Sequence, residues 1–519
     1  MLVVPQHRAL VVKATRPEQI LACIPQAKLF PYQGATDLVY VPHELDTVKV
    51  LRNMGARAPS PINYYYKYPL AEGWHEPFAH QKVTSEFLTL HKRCAVLNAP
   101  RTGKTLSCLW SADYLMAAGL IRKVLIVSPL STLERVWGDA IFLTFFHRRM
   151  VVLYGSAERR KRLLKQPADF YIVNHDGFGI IKDELPDDID LVIYDEAAVL
   201  RNPATRRFKQ LHTFIATRPE MRLWLLTGTP TPNEPTDAWA LCKLIGSQQI
   251  PRYTLFREQV MMKVSQWTWR PRPQAEEIVQ RVLQPSIRFS RDDCFDLPAT
   301  TYETRQCEMH PEQQRLFKKM FKELTAEIGK HQITAVNEAV KVQKLMQILL
   351  GVVYDTSGEH AFVNCQPRIA VIKEIIEECQ EKVLVFVPFT GALDALAAEL
   401  GKSFSVAVVN GNVSKTARDL IFQNFTHQKD PRVIVADART MSHGLDLSAA
   451  TTTVWAGPTN SNETYEQANA RIMGPKQKHK TAIVHIEATP LERKIYQRLK
   501  DKQSLQGLLL DIIQQQEVI

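Results

Sequence analysis

Two short stretches of the chain carry residue types and spacings suited to phosphate chemistry. In CAVLNAPRTGKTLSCLW (94–110), the loop APRTGKT follows an apolar run and precedes a helical pattern. In that setting backbone N–H groups and a helix N-terminus can surround phosphates. Arg101, Thr102 and Gly103 shape the loop, Lys104 would reach the β and γ phosphates, and the Thr105 hydroxyl would ligate Mg²⁺. The loop departs from GxxxxGK[ST] at its first glycine, where Asn98 stands. In LVIYDEAAVLRN (191–202), an apolar run ends on Asp195 and Glu196. One carboxylate there can hold Mg²⁺ and the next can orient and deprotonate an attacking water. Read singly, the first stretch competes with a chance turn and the second with a helix N-cap pair. Read together, they predict a nucleotide site on neighbouring strand ends, in the crevice where open α/β sheets bind ligands.

The elements that must position these residues follow from the apolar runs. CAVLNA (94–99), KVLIVSP (123–129), VVLYG (151–155), DFYIVNH (169–175), LVIYDEA (191–197) and RLWLLTGT (222–229) form one series. KVLVFVP (382–388), SVAVVNG (405–411), RVIVADA (432–438), TTTVWAG (451–457) and TAIVHIE (481–487) form a second. Runs that are apolar throughout, without alternation, read as parallel strands buried on both faces. Two doubly wound sheets are the economical reading. The predicted organisation is an N-terminal accessory segment over 1–70, a first lobe over 71–250, a connector with helices over 251–365 and a second lobe over 366–519.

Composition sets the class. With 519 residues, 45% apolar and 23% charged, the chain can bury more than one core, and it lacks the roughly eighteen uncharged apolar residues in a row that span a bilayer. The start, MLVVPQHRALVVKATRPEQI, has no signal-peptide pattern, so the expectation is a protein that works inside a cell. The eight cysteines show neither CxxC nor Cys/His spacing and read as reduced packing residues. A formal charge of +11 favours a polyanionic partner.

On these motifs and their order the chain resembles the Swi/Snf (switch/sucrose non-fermenting) branch of helicase superfamily 2. The resemblance implies two RecA-like lobes with a helical connector and a small N-terminal domain, ATP and Mg²⁺ as cofactors, and Gln81 in PFAHQKVTSEF as the reader of adenine. LLTGTPTPNEPTDAWAL (225–241) matches the branch's motif III, with TGTP where RNA helicases of the DEAD-box type carry SAT. VSPLSTLERVW (127–137), VNHDGFG (173–179) and the Arg201–Asn202 pair match segments that touch a phosphate backbone in relatives. In the second lobe, ADARTMSHGLDLSAA (436–450) places Gly444 and Asp446 in a motif that closes on ATP, and YEQANARIMGPKQKHK (465–480) puts Gln467 and Arg471 in register with motif VI. Two departures stand out: Ala198 replaces the histidine of DEAH, and Gly474 replaces a second arginine, with Lys476 close by.

Two further segments have competing readings. AERRKRLLK (157–165) is a solvated helix or a phosphate-contacting face, and NYYYKYPL (63–70) is a strand buried on lobe one or a base-stacking platform. The resulting expectation is a compact bacterial or phage DNA-dependent ATPase acting on duplex or branched DNA without sequence preference. Lys104, Thr105, Asp195, Glu196 and Arg471 would carry its chemistry. The rivals are an RNA helicase and a binding module with a weak ATPase.

Overall fold

The computed structural model describes residues 1–30, 37–72, 74–232, 234–247, 250–264, 269–294, 298–328, 335–354, 360–441, 447–474 and 477–501. The chain divides into two compact units, one of 1–231, 235–261 and 272–294, the other of 232–234, 262–271 and 295–519.

The chain opens with four antiparallel strands, β1 (Leu2–Val4), β2 (Ala9–Lys13), β3 (Lys28–Leu29) and β4 (Leu38–Pro42), in the order β1-β2-β4-β3. This sheet shares its core with the first lobe: Leu10, Val12, Val39 and Val41 belong to the same buried cluster as Leu88, Trp110 and Trp224. Residues 1–70 therefore pack as part of the first unit.

The first lobe is built on β5 (Arg93–Val96), β6 (Lys123–Ser128), β7 (Met150–Val152), β8 (Phe170–Asn174), β9 (Ile189–Tyr194) and β10 (Arg222–Leu226). A short pair, β11 (Met261–Lys263) and β12 (Trp269–Pro271), precedes β13 (Ser286–Ile287), which joins the lobe-one sheet at its edge. The sheet order is β13-β5-β10-β9-β6-β8-β7, and the pairs are parallel. Its register aligns Cys94, Trp224, Ile193, Ile126 and Ile172 across five strands. All five side chains are buried in one cluster. Burial on both sheet faces is the reason these strands read as unbroken apolar runs.

The second lobe contains β14 (Thr300–Gln306), a hairpin of β15 (Val352–Tyr354) and β16 (His360–Phe362), then β17 (Lys382–Phe386), β18 (Val406–Val409), β19 (Val433–Ala436), β20 (Ala450–Trp455) and β21 (Thr481–Glu487). Its parallel sheet runs β14-β21-β20-β17-β19-β18. Val385, Val435, Val454 and Val484 face one core, while Leu384, Ile434 and Ile483 face the other. Helices Pro311–Ile328 and Ala335–Leu349 contribute Phe317, Phe321, Leu345 and Leu349 to the latter core. Each lobe is a RecA-like doubly wound α/β sheet.

Two segments depart from the sequence expectation. NYYYKYPL is not a strand: Ile62–Tyr65 is a helical turn, and the chain then runs extended against lobe one. The burial itself is as expected, since the Tyr66 hydroxyl donates to Asp113 Oδ2 (2.7 Å) and the Tyr68 ring meets Trp110 edge-on at 5.1 Å. Strands β13 and β14 lie inside what reads as a connector. Among the described residues no helix is long and apolar enough to cross a membrane, and no group of three or more His, Cys, Asp or Glu side chains could hold a metal ion. All eight cysteines are free thiols.

Candidate nucleotide site

The loop after β5 turns into the helix Lys104–Ala117 through two left-handed residues, Arg101 (φ +68°) and Gly103 (φ +76°). Glycine takes that conformation without a Cβ clash, whereas Arg101 must be held in it. Gly103 is the N-cap and offers no side chain to the first turn, which leaves a ring of backbone N–H groups suited to an anion. Thr102 Oγ1 donates to the Ala99 carbonyl (2.9 Å), and Lys104 Nζ donates to the carbonyls of Asn98 (2.8 Å) and Ala99 (3.1 Å). The lysine thus lies back along its own loop.

Asn98 has a physical reason to replace glycine. Its Nδ2 donates to Thr84 Oγ1 (3.0 Å), and its Oδ1 accepts the Phe289 N–H (3.1 Å). The Ala99 N–H donates to the Phe289 carbonyl (2.9 Å). The side chain ties the loop to the helix Ala79–Leu90 on one side and to the segment following β13 on the other. That helix also supports the loop through Gln81, whose Oε1 accepts the Phe78 N–H (3.0 Å) and whose Nε2 donates to the Gly103 carbonyl (3.3 Å). A Cβ on Gly103 would stand 2.1 Å from Gln81 Nε2 and push that amide aside, and the left-handed backbone at Gly103 separately favours glycine. His80, which burial holds below the usual imidazole range, contacts the Thr102 carbonyl through Nε2 (2.8 Å).

Asp195 and Glu196 follow β9, and the Asp195 N–H extends the sheet by donating to the Val127 carbonyl (2.8 Å). Trp137 Nε1 donates to Asp195 Oδ2 (3.0 Å), and the Glu196 N–H donates to Oδ1 (3.1 Å). Burial raises the Asp195 pKa, opposed by the Trp137 bond, the Lys104 charge and the Glu196 N–H. Glu196 is in the left-handed region at φ +51°, a conformation costly for a residue with a Cβ and one that concentrates at functional sites. The strands carrying Lys104 and Asp195 are not neighbours as the sequence suggested, because β10 lies between them. The turn after β10 fills that gap. Thr227 is buried, its Oγ1 accepts the Thr229 N–H (3.1 Å), and Gly228 lies directly against Pro100.

In lobe two, Gln467 and Arg471 are buried at 4% and 5% exposure. Arg471 Nε donates to the Gln467 carbonyl (3.0 Å), and Gln467 Nε2 donates to Glu463 Oε1 (3.3 Å). Gly474 is also buried and accepts the Gln477 N–H at 2.8 Å. Gly444, Asp446 and Lys476 lie outside the described residues.

Comparison with known proteins places this geometry in a family. Residues 91–355, more than half of the chain, match the SNF2-related domain, and residues 367–474 match the helicase conserved C-terminal domain. The chain belongs to the SNF2-related family. Family membership puts it among the ATP-dependent nucleic-acid helicases and translocases of superfamily 2. Its relatives include protein p41 of Acyrthosiphon pisum secondary endosymbiont phage 1, 25% identical over 84% of this chain and 98% of that protein. Another is the Xenopus laevis SWI/SNF-related matrix-associated actin-dependent regulator of chromatin subfamily A-like protein 1, 24% identical over 68% of this chain and 35% of that protein. The solved Sulfolobus solfataricus SWI2/SNF2 ATPase core in complex with dsDNA is 20% identical over 87% of this chain and 95% of that one, with a TM-score of 0.41.

Within this SNF2-related lobe one, three groups that the sequence did not assign support the site: Trp137, His175 and Asn98. A buried indole N–H needs an acceptor, which was the available signal for Trp137; its pairing with Asp195, 58 residues away, was not. Of the basic helix Ala157–Leu164, Arg160 is structural, donating to the Leu153 carbonyl (2.7 Å) and Asn174 Oδ1 (2.9 Å). Arg159, Arg162 and Lys165 are exposed. Asn202 lines an open groove of about 620 Å³ with Lys209, Trp239, Lys243 and Tyr253; no residue of the phosphate-type loop borders it.

Proposed function

We propose that this SNF2-related protein is a DNA-dependent ATPase that tracks along duplex or branched DNA and remodels or anneals it. The observation that supports the reading most is the gathering of three motifs at the carboxyl ends of β5, β10 and β9. There the loop bearing Lys104, the TGTP turn and the Asp195–Glu196 pair adjoin, with Gly228 against Pro100. The uncapped helix start, Gly103 and an acid held by defined donors fit an ATP–Mg²⁺ pair. Bound Mg²⁺ supplies charge neutralisation at the phosphates. Lys104, which bonds its own loop carbonyls, would serve the β and γ phosphates, Thr105 and Asp195 would hold the metal, and Glu196 would orient and deprotonate the attacking water. Gln81 recognises the base. From lobe two, Arg471 is assigned to the γ-phosphate, with Gln467, Gly444 and Asp446 completing that lobe's contribution.

DNA is favoured over RNA by TGTP in place of SAT, and sequence-independent contact along phosphates by the +11 charge. The weak-ATPase alternative loses one of its grounds in Asn98, whose side chain has a bracing role in the loop. The test is phosphate release measured with duplex DNA, single-stranded DNA and RNA. Duplex DNA is expected to stimulate most. Stimulation by RNA equal to or above that by duplex DNA, or no turnover with any of the three, contradicts the proposal.

A further inference from the structure

Beyond its sheet bond to Val127, Asp195 is held at three points, and two of the holding groups come from segments expected to touch nucleic acid. Trp137, fully buried, donates its indole N–H to Oδ2 from the segment that follows β6. His175, at the start of the helix after β8, places Nε2 2.8 Å from the Asp195 carbonyl oxygen and stacks on Tyr194 (centroids 5.0 Å apart, planes 5° apart). The Glu196 N–H completes the set at Oδ1.

Both supporting segments are packed into lobe one, the first by burial of Trp137 and the second by a side-chain bond to Asn174. Trp137 sits on a π-helical turn, Leu133–Gly138, a wide-turn geometry that concentrates at functional sites. The His175 segment is pinned by Arg160, which bonds Asn174 Oδ1; a Cβ on Gly177 would meet Arg160 Nη1 at 2.2 Å and Asn174 Oδ1 at 2.7 Å. Ala198, by contrast, is buried and has no side-chain donor, so the link that a histidine at that position could make is absent from this chain. Displacement of either segment is therefore felt at Asp195, and through its backbone at Glu196 next to it.

We propose that Trp137 and His175 are positioning residues that couple nucleic-acid engagement by the segments after β6 and β8 to the metal-holding carboxylate of Asp195 and the water-orienting carboxylate of Glu196. The inference rests on the assignment of Asp195 as metal ligand made above. Neither residue touches the reacting atoms; each acts through Asp195, as the outer partners of metal ligands do.

The test uses the full chain with Trp137→Phe, which keeps a ring and removes the N–H, and with His175→Phe, which keeps the stack on Tyr194 and removes the donor. His175→Gln, which restores a donor near the Nε2 position, is the conservative control. Two quantities are read: the factor by which a linear duplex raises turnover at saturating ATP, and the Mn²⁺ affinity of the ATP-bound protein by electron paramagnetic resonance titration. Trp137→Phe should weaken Mn²⁺ binding roughly tenfold, in the range found for outer partners of metal ligands. Both Phe variants should lower the stimulation factor, and His175→Gln should recover it. Folded Phe variants with wild-type Mn²⁺ affinity and stimulation factor overturn the inference, as does an equal loss of basal and stimulated turnover, which is the mark of packing alone. Asp195→Asn separates the two levels. If it hydrolyses ATP normally, the metal assignment and this inference both fall; if it is inactive while the Phe variants behave as wild type, only the coupling falls.

Discussion

A Cβ placed on Gly228 would stand 2.8 Å from Cδ of Pro100. The two residues follow adjacent parallel strands, β10 and β5, so the TGTP turn abuts the loop that leads to Lys104. Pro100 is a ring with few ways to move aside, and the loop behind it is tied down through Asn98. Gly228→Ala should therefore displace the loop. The expected result is a stability loss of about 1–3 kcal/mol, as for other small-to-large changes in packed sites, together with a fall in ATP turnover. Denaturant unfolding and steady-state hydrolysis on the same preparation check both; wild-type values in each would show that the contact is readily relieved.

Arg471 offers a second test. An arginine at the γ-phosphate contributes roughly 10³ to 10⁵ in rate in comparable enzymes. Arg471→Ala should abolish DNA-stimulated hydrolysis while nucleotide still binds, and Lys476→Ala should show a smaller loss, because a lysine cannot bridge two phosphate oxygens in a planar fork. Near-normal turnover for Arg471→Ala, measured at saturating ATP and DNA, removes the assignment.

A stability prediction concerns Arg368 and Glu492, a buried pair at 4% and 0% side-chain exposure with N–O 2.8 Å. Arg368 also donates to the Ile486 carbonyl (3.5 Å) and the Ala456 carbonyl (2.5 Å), and the Ala488 N–H donates to Glu492 (2.7 Å). The pair fastens the helices Gln366–Glu378 and Pro490–Lys500 to the second sheet. Removing one partner leaves a buried charge uncompensated, so Arg368→Ala should cost about 3–5 kcal/mol. Replacing both by apolar residues of similar volume should cost much less. Unfolding midpoints of the single and paired variants give the comparison.

His485 supplies a pH dependence. It lies among Tyr465 (hydroxyl to Nε2, 2.7 Å), Tyr496 (stacked, 4.2 Å), Tyr302 and the Lys500 charge, and burial lowers its pKa from 6.5 to about 4. With the folded value below the unfolded one, the unfolded chain takes up the proton first as pH falls. The contribution is intact above pH 6.5 and is lost progressively down to about 4. Its size is about 3 kcal/mol over that window. Stability against pH should thus fall more steeply for wild type than for His485→Gln; parallel curves would contradict this.

How much of this was legible beforehand depended on how local the cause was. The runs around Val124–Val127 and Val383–Phe386 are buried on both sheet faces and announce themselves as strands. The short edge strand Ser286–Ile287 and the largely exposed Thr300–Gln306 carry no such apolar signal, and they merged into the connector. Lys104 and Asp195 were readable because phosphate and metal chemistry demands those types at strand ends. The strand between them was not, since order in a sheet is a long-range property. Asn98 read as a defect because its partner Phe289 is 191 residues away. In NYYYKYPL the burial was foreseen, and the conformation was not, since tyrosines pack equally well from a helical turn or an extended chain.

The central claim is that Lys104 and Glu196 act on the same nucleotide in different roles, and one parallel measurement addresses it. ATP affinity and phosphate release are determined with duplex DNA for wild type, Lys104→Ala and Glu196→Gln. Both variants should lose turnover, the second by roughly 10² to 10⁴, the usual contribution of a general base. Only Lys104→Ala should lose nucleotide affinity, while Glu196→Gln holds ATP unhydrolysed and both still bind DNA. Wild-type turnover in Lys104→Ala, or a loss of ATP affinity in Glu196→Gln as severe as that of Lys104→Ala, would contradict the account.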